Sequence, residues 1–381
     1  DAERARAAAR AQHQRHDQRE DDVELPLDRQ RPEVLQRRRV GEDQVVRVLR
    51  AHEAPVDRVE ERRERVRVLL RELPPAHRAT GALGDETLAA LQCIGVDFDG
   101  DDLICNGDKG VRRLIDSTGQ GRADKESPLW FPTKNDGEHA ANGIVRGPDG
   151  WYYMITGNDA GITTEHANTP TSPIKQPNSG VVIRFSPDGK KREIVAHGFR
   201  NPYDLAFTTH GDIVTVDADG ERIHYMPYYA PTRLFDIGQG MHHGWILPGW
   251  AGGWSRPPIW ADSTARAWEI GRGSPTGILT YRHRQFPERY RNGIFSACWT
   301  FGKIYFFPYE RDGSTFKTKM EVFMQTTGDV GFAPTDMVIG PDGDLFVAIG
   351  GRGTRGSVFR VTYKGPITPD VPASLPIDRL L

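Results

Sequence analysis

Three segments of this chain align without gaps on a shared turn glycine, and this repetition constrains the fold more than any other feature. The segments are Asn142-GIVRGPDGWYYMIT, Tyr203-DLAFTTHGDIVTVD and Thr335-DMVIGPDGDLFVAIG. Their turn glycines are Gly150, Gly211 and Gly343. Each glycine separates two short runs rich in Val, Ile, Tyr and Phe, which is typical of a β-hairpin closed by a tight turn. The chain therefore contains a repeated hairpin.

Weaker copies of the hairpin occur at Phe98-DGDDLIC and Thr300-FGKIYFF. Repeats of about 40–50 residues, each with four short strands, are typical of a β-propeller. The repetitive part of the chain has room for about six blades at that period. A further degenerate copy is expected near Trp250–Trp260. The sequence thus predicts an all-β, six-bladed β-propeller that is incomplete at its N-terminus, with a β-sandwich carrying chance turns as the alternative.

Residues 1–90 differ in composition from the rest of the chain. They contain 19 arginines and 19 acidic residues but no lysine and no aromatic residue, whereas all 8 Trp, 11 Tyr and 16 Phe follow residue 90. Such a segment has too few large apolar side chains to offset the loss of chain entropy on folding. We expect residues 1–90 to be disordered, an irregular helix or an out-of-frame translation. The propeller is expected at 91–365, followed by a C-terminal linker at 366–381.

Charge and motif content exclude several function classes. The formal net charge of −2 argues against a polyanion binder held by bulk electrostatics. No apolar run reaches the roughly 20 residues that a membrane-spanning helix needs. Three cysteines without CxxC spacing argue against a disulfide scaffold, a cysteine zinc site and a haem attachment site. The motifs of serine hydrolases and of Rossmann dinucleotide-binding folds are also absent from the sequence.

Polar residues stand just before two of the predicted hairpins, where a propeller places its functional loops. His139, next to Glu138, precedes the hairpin that turns at Gly150, and a histidine at a channel mouth is a candidate general base. Arg200 and Asn201 occupy the corresponding place one blade later, where they offer a planar cation and an amide. The alternative interpretations are a surface histidine and a structural loop.

Two further clusters could bind ions. Asp217, Asp219 and Glu221 alternate along the chain, so an extended strand would present three carboxylates to a hard cation such as Ca²⁺. A polar turn is the alternative. Arg352 and Arg355 lie in a glycine-rich loop that could present N–H groups and guanidinium groups to an anion. A flexible surface turn is the alternative there.

The order of these motifs resembles that of the soluble quinoprotein sugar dehydrogenases, including the glucose and sorbosone dehydrogenases. The similar pieces are His139 ahead of Gly147-PDG, Gly180-VVIRFSPDG, Gly198-FRNPYDLAF and His243-GW. Other phrases, such as Asp217-ADGER, resemble a branch of large bacterial propeller proteins of the membrane-bound dehydrogenase type. The resemblance covers roughly residues 93–363.

This resemblance implies a six-bladed propeller that binds pyrroloquinoline quinone and Ca²⁺ on its channel face. It implies that His139 is the catalytic base, with Glu138 orienting it, and that Arg200 and Asn201 bind the quinone. The expected reaction is oxidation of a sugar or alcohol, in which Arg200 stabilises charge on the quinone oxygen. The glutamine of the family's loop has no match in Gly157-NDAGITTEH, and Lys303 is the candidate for its quinone-clamping lysine.

Two other classes stay open on the sequence alone. One is a non-catalytic propeller that binds glycan or protein, and the other is a Ca²⁺-dependent propeller hydrolase or lactonase built on Asp217, Asp219 and Glu221. By resemblance we expect a periplasmic or secreted protein with a c-type cytochrome as electron acceptor, although no signal peptide is visible and the chain is expected to be a fragment. We expect no nucleic-acid partner.

Overall fold

The fold is known from a computed structural model. The structure describes residues 46–49 and 93–365, except 108, 120–122, 136, 221–228, 246–263, 265, 327–330 and 352–353. All of these belong to one compact unit, Val45–Leu381. The predictions for most of residues 1–90, and for residues 366–381, lie outside the described residues. Within the described part of the chain, none of the helices has the length and apolar character needed to cross a bilayer.

The described residues form short strands and two single-turn 3₁₀ helices, Thr164–His166 and Glu288–Tyr290. The first half of the strands, in chain order, are β1 (Val46–Leu49), β2 (Gly95–Asp99), β3 (Asp102–Gly107), β4 (Gly110–Ile115), β5 (Lys125–Glu126), β6 (Phe131–Pro132), β7 (Ala141–Arg146), β8 (Tyr152–Thr156), β9 (Gly180–Phe185), β10 (Arg192–Phe199), β11 (Leu205–Phe207) and β12 (Ile213–Asp217). The second half are β13 (Thr232–Ile237), β14 (Arg266–Gly271), β15 (Pro275–Thr280), β16 (Ile294–Cys298), β17 (Lys303–Phe307), β18 (Glu310–Asp312), β19 (Thr315–Lys317), β20 (Glu321–Gln325), β21 (Pro334–Ile339), β22 (Leu345–Gly351) and β23 (Thr354–Tyr363).

These strands build five antiparallel sheets, which we number as blades I to V. Blade I holds β2 to β6, blade II holds β7 to β10, and blade III holds β11 to β14. Blade IV is β15, β16, β17 and β20, with the hairpin β18–β19 inserted before its last strand. Blade V is β21, β22 and β23, completed at its outer edge by β1, which pairs antiparallel with β23. A strand from the Arg-rich segment therefore joins the last blade.

The innermost strands of the five blades stand side by side around a channel. Strand β2 contacts β7, β7 contacts β11, β11 contacts β15, and β15 contacts β21. All five line one cavity of about 640 Å³. This arrangement confirms the all-β class and the β-propeller. Five blades are present in the described residues, so the sixth blade stays a prediction.

Each pair of neighbouring blades encloses its own hydrophobic cluster. Between blades I and II, Phe131 packs edge-on against Phe185, with ring centroids 5.3 Å apart. Between blades II and III, Tyr153 and Phe207 pack in the same way at 5.0 Å. Burying an aromatic side chain of this kind contributes roughly 1.5–3 kcal/mol. The blades are thus held together by alternating strand residues, which is why period-two apolar patterning dominates the sequence.

Four of the five predicted turn glycines close the first hairpin of a blade, and the fifth does not. Gly100, Gly150, Gly211 and Gly343 all turn between the first and second strands of a blade with positive φ. Gly302 instead turns between the second and third strands of blade IV, at the opposite rim. Blade IV joins its first two strands through residues 281–293, which include the second 3₁₀ helix. Its first hairpin therefore lacks the short turn that the other blades share.

Two further expectations can be compared with the structure. The expected degenerate copy at Trp250–Trp260 lies outside the described residues, but the strands on either side, β13 and β14, are paired neighbours within blade III. The cysteine spacing argued against a scaffold of several disulfides. The structure contains a single disulfide, Cys93–Cys105, which the spacing did not indicate. It was missed because its partners meet across the start of the β2–β3 hairpin, a register that cysteine spacing alone does not reveal. Cys298 is free and buried.

Candidate functional site

Six described members of the predicted site lie at one rim of the channel, the rim at which the innermost strands begin: Glu138, His139, Arg200, Asn201, Asp217 and Asp219. We call it the entry rim and define it by the loops 137–140, 157–160, 199–204, 217–220, 271–274 and 299–302. In a propeller, loops of one rim converge although they are distant in sequence. The entry rim therefore brings residues of blades II, III and IV together.

His139 lies in the loop that leads into β7, and its imidazole is held by the loop that follows β8. The ring Nδ1 atom lies 2.6 Å from Oδ1 of Asn158. Nδ2 of Asn158 in turn donates to Oδ1 of Asp159 at 2.7 Å. Because the carboxylate can only accept, the amide oxygen must face the imidazole, so Nδ1 carries the proton. The lone pair of His139 is therefore on Nε2.

The close approach of these two loops depends on Gly157. Its backbone N–H donates to the carbonyl of Ala140 at 2.7 Å, and the N–H of Asp159 donates to the carbonyl of His139 at 3.0 Å. A Cβ at position 157 would collide with the backbone of His139. Only glycine leaves room for this contact, so Gly157 fixes the height of the imidazole at the rim.

Arg200 and Asn201 lie between β10 and β11, next to the His139 loop. The carbonyl of Arg200 accepts a hydrogen bond from the backbone N–H of Asn158 at 2.8 Å. The Asn201 amide donates to the carbonyl of Glu138 at 3.3 Å. The Arg200 guanidinium stacks over the ring of Trp245, with 5.5 Å between the guanidinium carbon and the ring centroid. His139 and Arg200 thus share one channel mouth.

The protonation of His139 follows from these neighbours. Burial and the positive charge of Arg200 lower the pKa of His139 below its ordinary value. The hydrogen bond to Asn158 and the charges of Asp159 and Asp217 oppose this shift without reversing it. The imidazole is therefore neutral at pH 7, with an unprotonated Nε2 that can accept a proton.

Asp217 and Asp219, which were predicted as metal ligands, have different surroundings. Asp217 is fully buried and accepts backbone N–H groups from Arg200, Asn201 and Ala218 at 2.8–2.9 Å. Asp219 accepts the hydroxyl of Tyr229 at 2.7 Å and lies 3.5 Å from Nε of Arg272. The third predicted ligand, Glu221, lies outside the described residues. Among those that are described, His, Cys, Asp and Glu side chains do not group in threes as a metal site would need.

A comparison of sequences places the chain in a family. The sequence profile of a domain of unknown function, DUF7133, matches residues 101–348. The chain belongs to the DUF7133 family. No curated protein matches it.

Solved structures share the fold of this DUF7133 protein. One described as glucose dehydrogenase has 18% sequence identity and a TM-score of 0.50, covering 68% of this chain and 77% of that one. A second glucose dehydrogenase has 16% identity and a TM-score of 0.50, covering 75% and 81%. The PQQ-bound form of an aldose sugar dehydrogenase from Streptomyces coelicolor has 16% identity and a TM-score of 0.46, covering 69% and 75%. The two glucose dehydrogenase structures confirm the expected resemblance at the level of the fold.

The structure does not test the roles predicted for three other residues of the DUF7133 protein: Glu138, Arg352 and Arg355. The Glu138 side chain is exposed, and the contact to Nδ1 of His139 comes from Asn158 instead. Arg352 lies outside the described residues. Arg355 lies on β23, but its side chain is not among those described. The proposed roles of these three residues stay predictions.

The donor set of the entry rim fits a planar, anionic cofactor better than a metal ion. Pyrroloquinoline quinone is such a cofactor, and Arg200, Trp245 and the rim residue Phe301 supply a guanidinium and aromatic rings. Lys303 begins β17 at this rim. Both oxygens of Asp217 and Oδ2 of Asp219 already contact protein donors, so this arrangement favours a structural role for the two residues over a Ca²⁺ site.

Two residues that contact the predicted site residues at this rim were not indicated by the sequence. Asn158 was read only as a position lacking the family's glutamine, although it lies two residues after a predicted strand, where a blade meets the rim. The other residue is Trp245. It is 8% exposed, yet its ring face carries the Arg200 guanidinium. Its partner could not be found from the sequence because 45 residues separate the two positions.

Proposed function

We propose that this protein is a quinone-dependent dehydrogenase that oxidises a sugar or an alcohol. The observation that carries the proposal is the hydrogen bond that fixes His139 as an Nδ1-protonated, neutral base beside the Arg200 guanidinium. A base next to a cation at the mouth of a channel suits removal of a hydroxyl proton together with stabilisation of developing negative charge. The fold shared with glucose dehydrogenases supports this proposal.

In the proposed reaction, Nε2 of His139 accepts the proton of the substrate hydroxyl. The carbon that bears this hydroxyl loses a hydride, so the alcohol becomes a carbonyl compound, or a lactone when the substrate is a cyclic sugar. Asn158 holds the imidazole so that Nε2 keeps its lone pair towards the substrate. Because burial and the charge of Arg200 lower the pKa of His139, the base is less readily protonated than an ordinary histidine.

Pyrroloquinoline quinone, when bound, would supply the hydride acceptor. We propose Arg200 as the group that binds a carboxylate or quinone oxygen of the cofactor, since its guanidinium is held over the ring of Trp245. Asn201 would complete the binding loop. No step is assigned to Ca²⁺.

Reconstitution tests the proposal. Purified protein is titrated with pyrroloquinoline quinone while absorbance and thermal stability are followed, and dye reduction is then measured with a panel of aldoses and alcohols. We expect saturable quinone binding and substrate-dependent dye reduction. His139→Gln should abolish turnover while quinone binding and the melting temperature are retained. The matched control is His210→Gln, an exposed histidine of the opposite rim that stacks on Tyr309.

Three results would contradict the proposal. Undiminished dye reduction by His139→Gln would remove His139 from the mechanism. Absence of quinone binding in the wild-type protein would favour the non-catalytic propeller that binds glycan or protein, which a glycan array would then examine. Ester or lactone cleavage without quinone would favour the hydrolase.

We further propose that the protein works in the periplasm or outside the cell. The Cys93–Cys105 disulfide supports this, because disulfides persist in oxidising compartments. Thiol alkylation of protein taken directly from the native host, followed by mass spectrometry, tests the proposal. Alkylated Cys93 and Cys105 would contradict it. A c-type cytochrome as electron acceptor stays a prediction.

A further inference from the structure

Asp217 is a buried carboxylate whose two oxygens both accept hydrogen bonds from the loop that carries Arg200 and Asn201. It ends β12 and has no exposed surface. Its Oδ2 accepts the N–H of Arg200 at 2.9 Å, and its Oδ1 accepts the N–H groups of Asn201 and Ala218 at 2.8 and 2.9 Å. One side chain therefore accepts hydrogen bonds from two consecutive amides of the loop, while the carbonyl of Arg200 accepts one from the backbone N–H of Asn158.

A carboxylate in such surroundings needs a compensating positive charge, because burial of an isolated ion is costly. Arg233 supplies it. The residue stands directly opposite Asp217 in the register of β12 and β13 and is 3% exposed. Its guanidinium carbon lies 5.0 Å from the centroid of the Phe235 ring. Burial lowers the pKa of Arg233, and the charge of Asp217 opposes this shift.

The two charges act on each other through space. The described residues provide no hydrogen-bond partner for Nε or Nη2 of Arg233. Asp217 and Arg233 also do not come within ion-pair distance, since the carboxylate oxygens turn to the loop amides instead. A buried arginine with unused N–H groups is expensive, so its presence opposite Asp217 needs a reason. Arg233 places a positive charge opposite the Asp217 side chain, and hydrogen bonds assisted by charge are stronger than neutral ones.

We infer that Asp217 and Arg233 form a buried charge couple that positions the Arg200–Asn201 loop at the entry rim. Asp217 is then a positioning residue and not a metal ligand, and Arg233 is its counter-charge. By fixing two successive amides, the couple sets the direction in which the Arg200 guanidinium leaves the backbone to reach Trp245. The inference rests on the proposed function only in treating Arg200 as a cofactor-binding group.

The test combines three variants with three measurements. Asp217→Asn keeps the shape of the side chain, but its NH₂ group replaces one carboxylate oxygen. This NH₂ group cannot accept a hydrogen bond from the backbone N–H groups of the loop. We expect exchange of the Arg200 and Asn201 amides, measured by hydrogen–deuterium exchange on a peptide spanning 198–205, to accelerate by about 10- to 100-fold. Quinone affinity should fall by a similar factor. Arg233→Met should lower the melting temperature, because it leaves an uncompensated buried charge.

The double variant Asp217→Asn/Arg233→Met separates positioning from stability. Removal of both charges should recover most of the melting temperature lost in Arg233→Met, while amide exchange stays fast and quinone affinity stays low. Such non-additivity is expected for coupled charges. A matched control is Asp212→Asn with Arg311→Met, a carboxylate and guanidinium 2.6 Å apart in the β18–β19 region. The control pair should leave exchange in peptide 198–205 unchanged.

Each outcome decides the question. Unchanged amide exchange in Asp217→Asn would overturn the inference. Stoichiometric Ca²⁺ binding by the wild-type protein that is lost in Asp217→Asn, seen by calorimetry, would make Asp217 a metal ligand and would also overturn it. Failure of the wild-type protein to bind quinone would count against the proposed function alone, because the exchange and stability measurements need no cofactor.

Discussion

Nδ1 of His139 and Oδ1 of Asn158 lie 2.6 Å apart, joined by a hydrogen bond between two loops of blade II. The orientation of the amide is set by its second hydrogen bond, which it donates to Asp159. A neutral amide fixes the tautomer of the imidazole as a carboxylate would, but it adds no negative charge to raise the pKa of the ring. His139 is therefore well oriented and weakly basic.

The first prediction concerns Asn158. Asn158→Leu removes the acceptor at nearly constant volume, so the ring can rotate and exchange tautomers, and we expect kcat to fall by about 10- to 100-fold. Asn158→Asp restores an acceptor and adds negative charge, so we expect substantial activity and an acidic limb of the pH–rate profile at higher pH. Steady-state kinetics from pH 4 to pH 9 measure both effects. Equal profiles for the wild type and both variants would show that Asn158 does not orient the base.

The second prediction concerns the charge of Arg200. Its guanidinium is one of the two largest causes that lower the pKa of His139, the other being burial. Arg200→Met removes the charge and keeps much of the apolar stem, so the pKa of His139 should rise. An NMR titration of the imidazole measures this directly and needs no substrate. Arg272→Met, which removes an exposed charge of the same rim, is the control, and an equal shift in both variants would point to a general effect of net charge.

The third prediction concerns the disulfide. Cys93 and Cys105 close a loop with a sequence separation of 12 residues at the start of blade I. Loop closure of this length stabilises a folded domain by about 3 kcal/mol in the chain-entropy account. Reductant should therefore lower the melting temperature of the wild-type protein and leave that of Cys93→Ala unchanged. If reductant has no effect on the wild type, the bridge does not stabilise the fold.

Much of the fold could be predicted because propeller hairpins are local. The turns at Gly150, Gly211 and Gly343 need positive φ at a fixed distance from two apolar runs, and each is encoded within about 15 residues. The outer strand β1 could not be predicted in this way, since it pairs with β23 from the far end of the chain. The first hairpin of blade IV could not be predicted either, because it closes through a longer loop.

The candidate site was predictable in its chemistry but not in its contacts. The positions of His139 and Arg200 just before innermost strands indicated a common rim, and the structure brings them together. The alternation of Asp217 and Asp219 suggested a shared ligand, but β12 ends at Asp217, so the period of two no longer applies beyond it. Which oxygen meets which amide depends on loop positions that no local pattern encodes.

The fourth prediction concerns two carboxylates inside the channel. Asp204 and Asp336 lie seven residues before Gly211 and Gly343, so they hold the same place relative to two hairpin turns. Burial, and for Asp204 also the charge of Asp336, raise the pKa of Asp204 to about 8 and that of Asp336 to about 6. Since the unfolded carboxyls ionise near pH 4, the folded protein holds more protons between pH 4 and pH 8. Stability should therefore fall as the pH rises through this window.

Asp204→Asn tests this relationship because the amide keeps the shape and cannot ionise. Its Oδ1 can still accept the N–H of Leu205, as the carboxylate does at 2.8 Å. We expect the variant to match the wild type near pH 4 and to exceed it by about 2 kcal/mol at pH 8, after allowing for screening by water in the channel. Urea unfolding at four pH values measures the difference. Asp188→Asn, on an exposed turn, is the control, and a stability difference for Asp204→Asn that does not change with pH would show that the channel carboxyl is ionised in the folded state throughout.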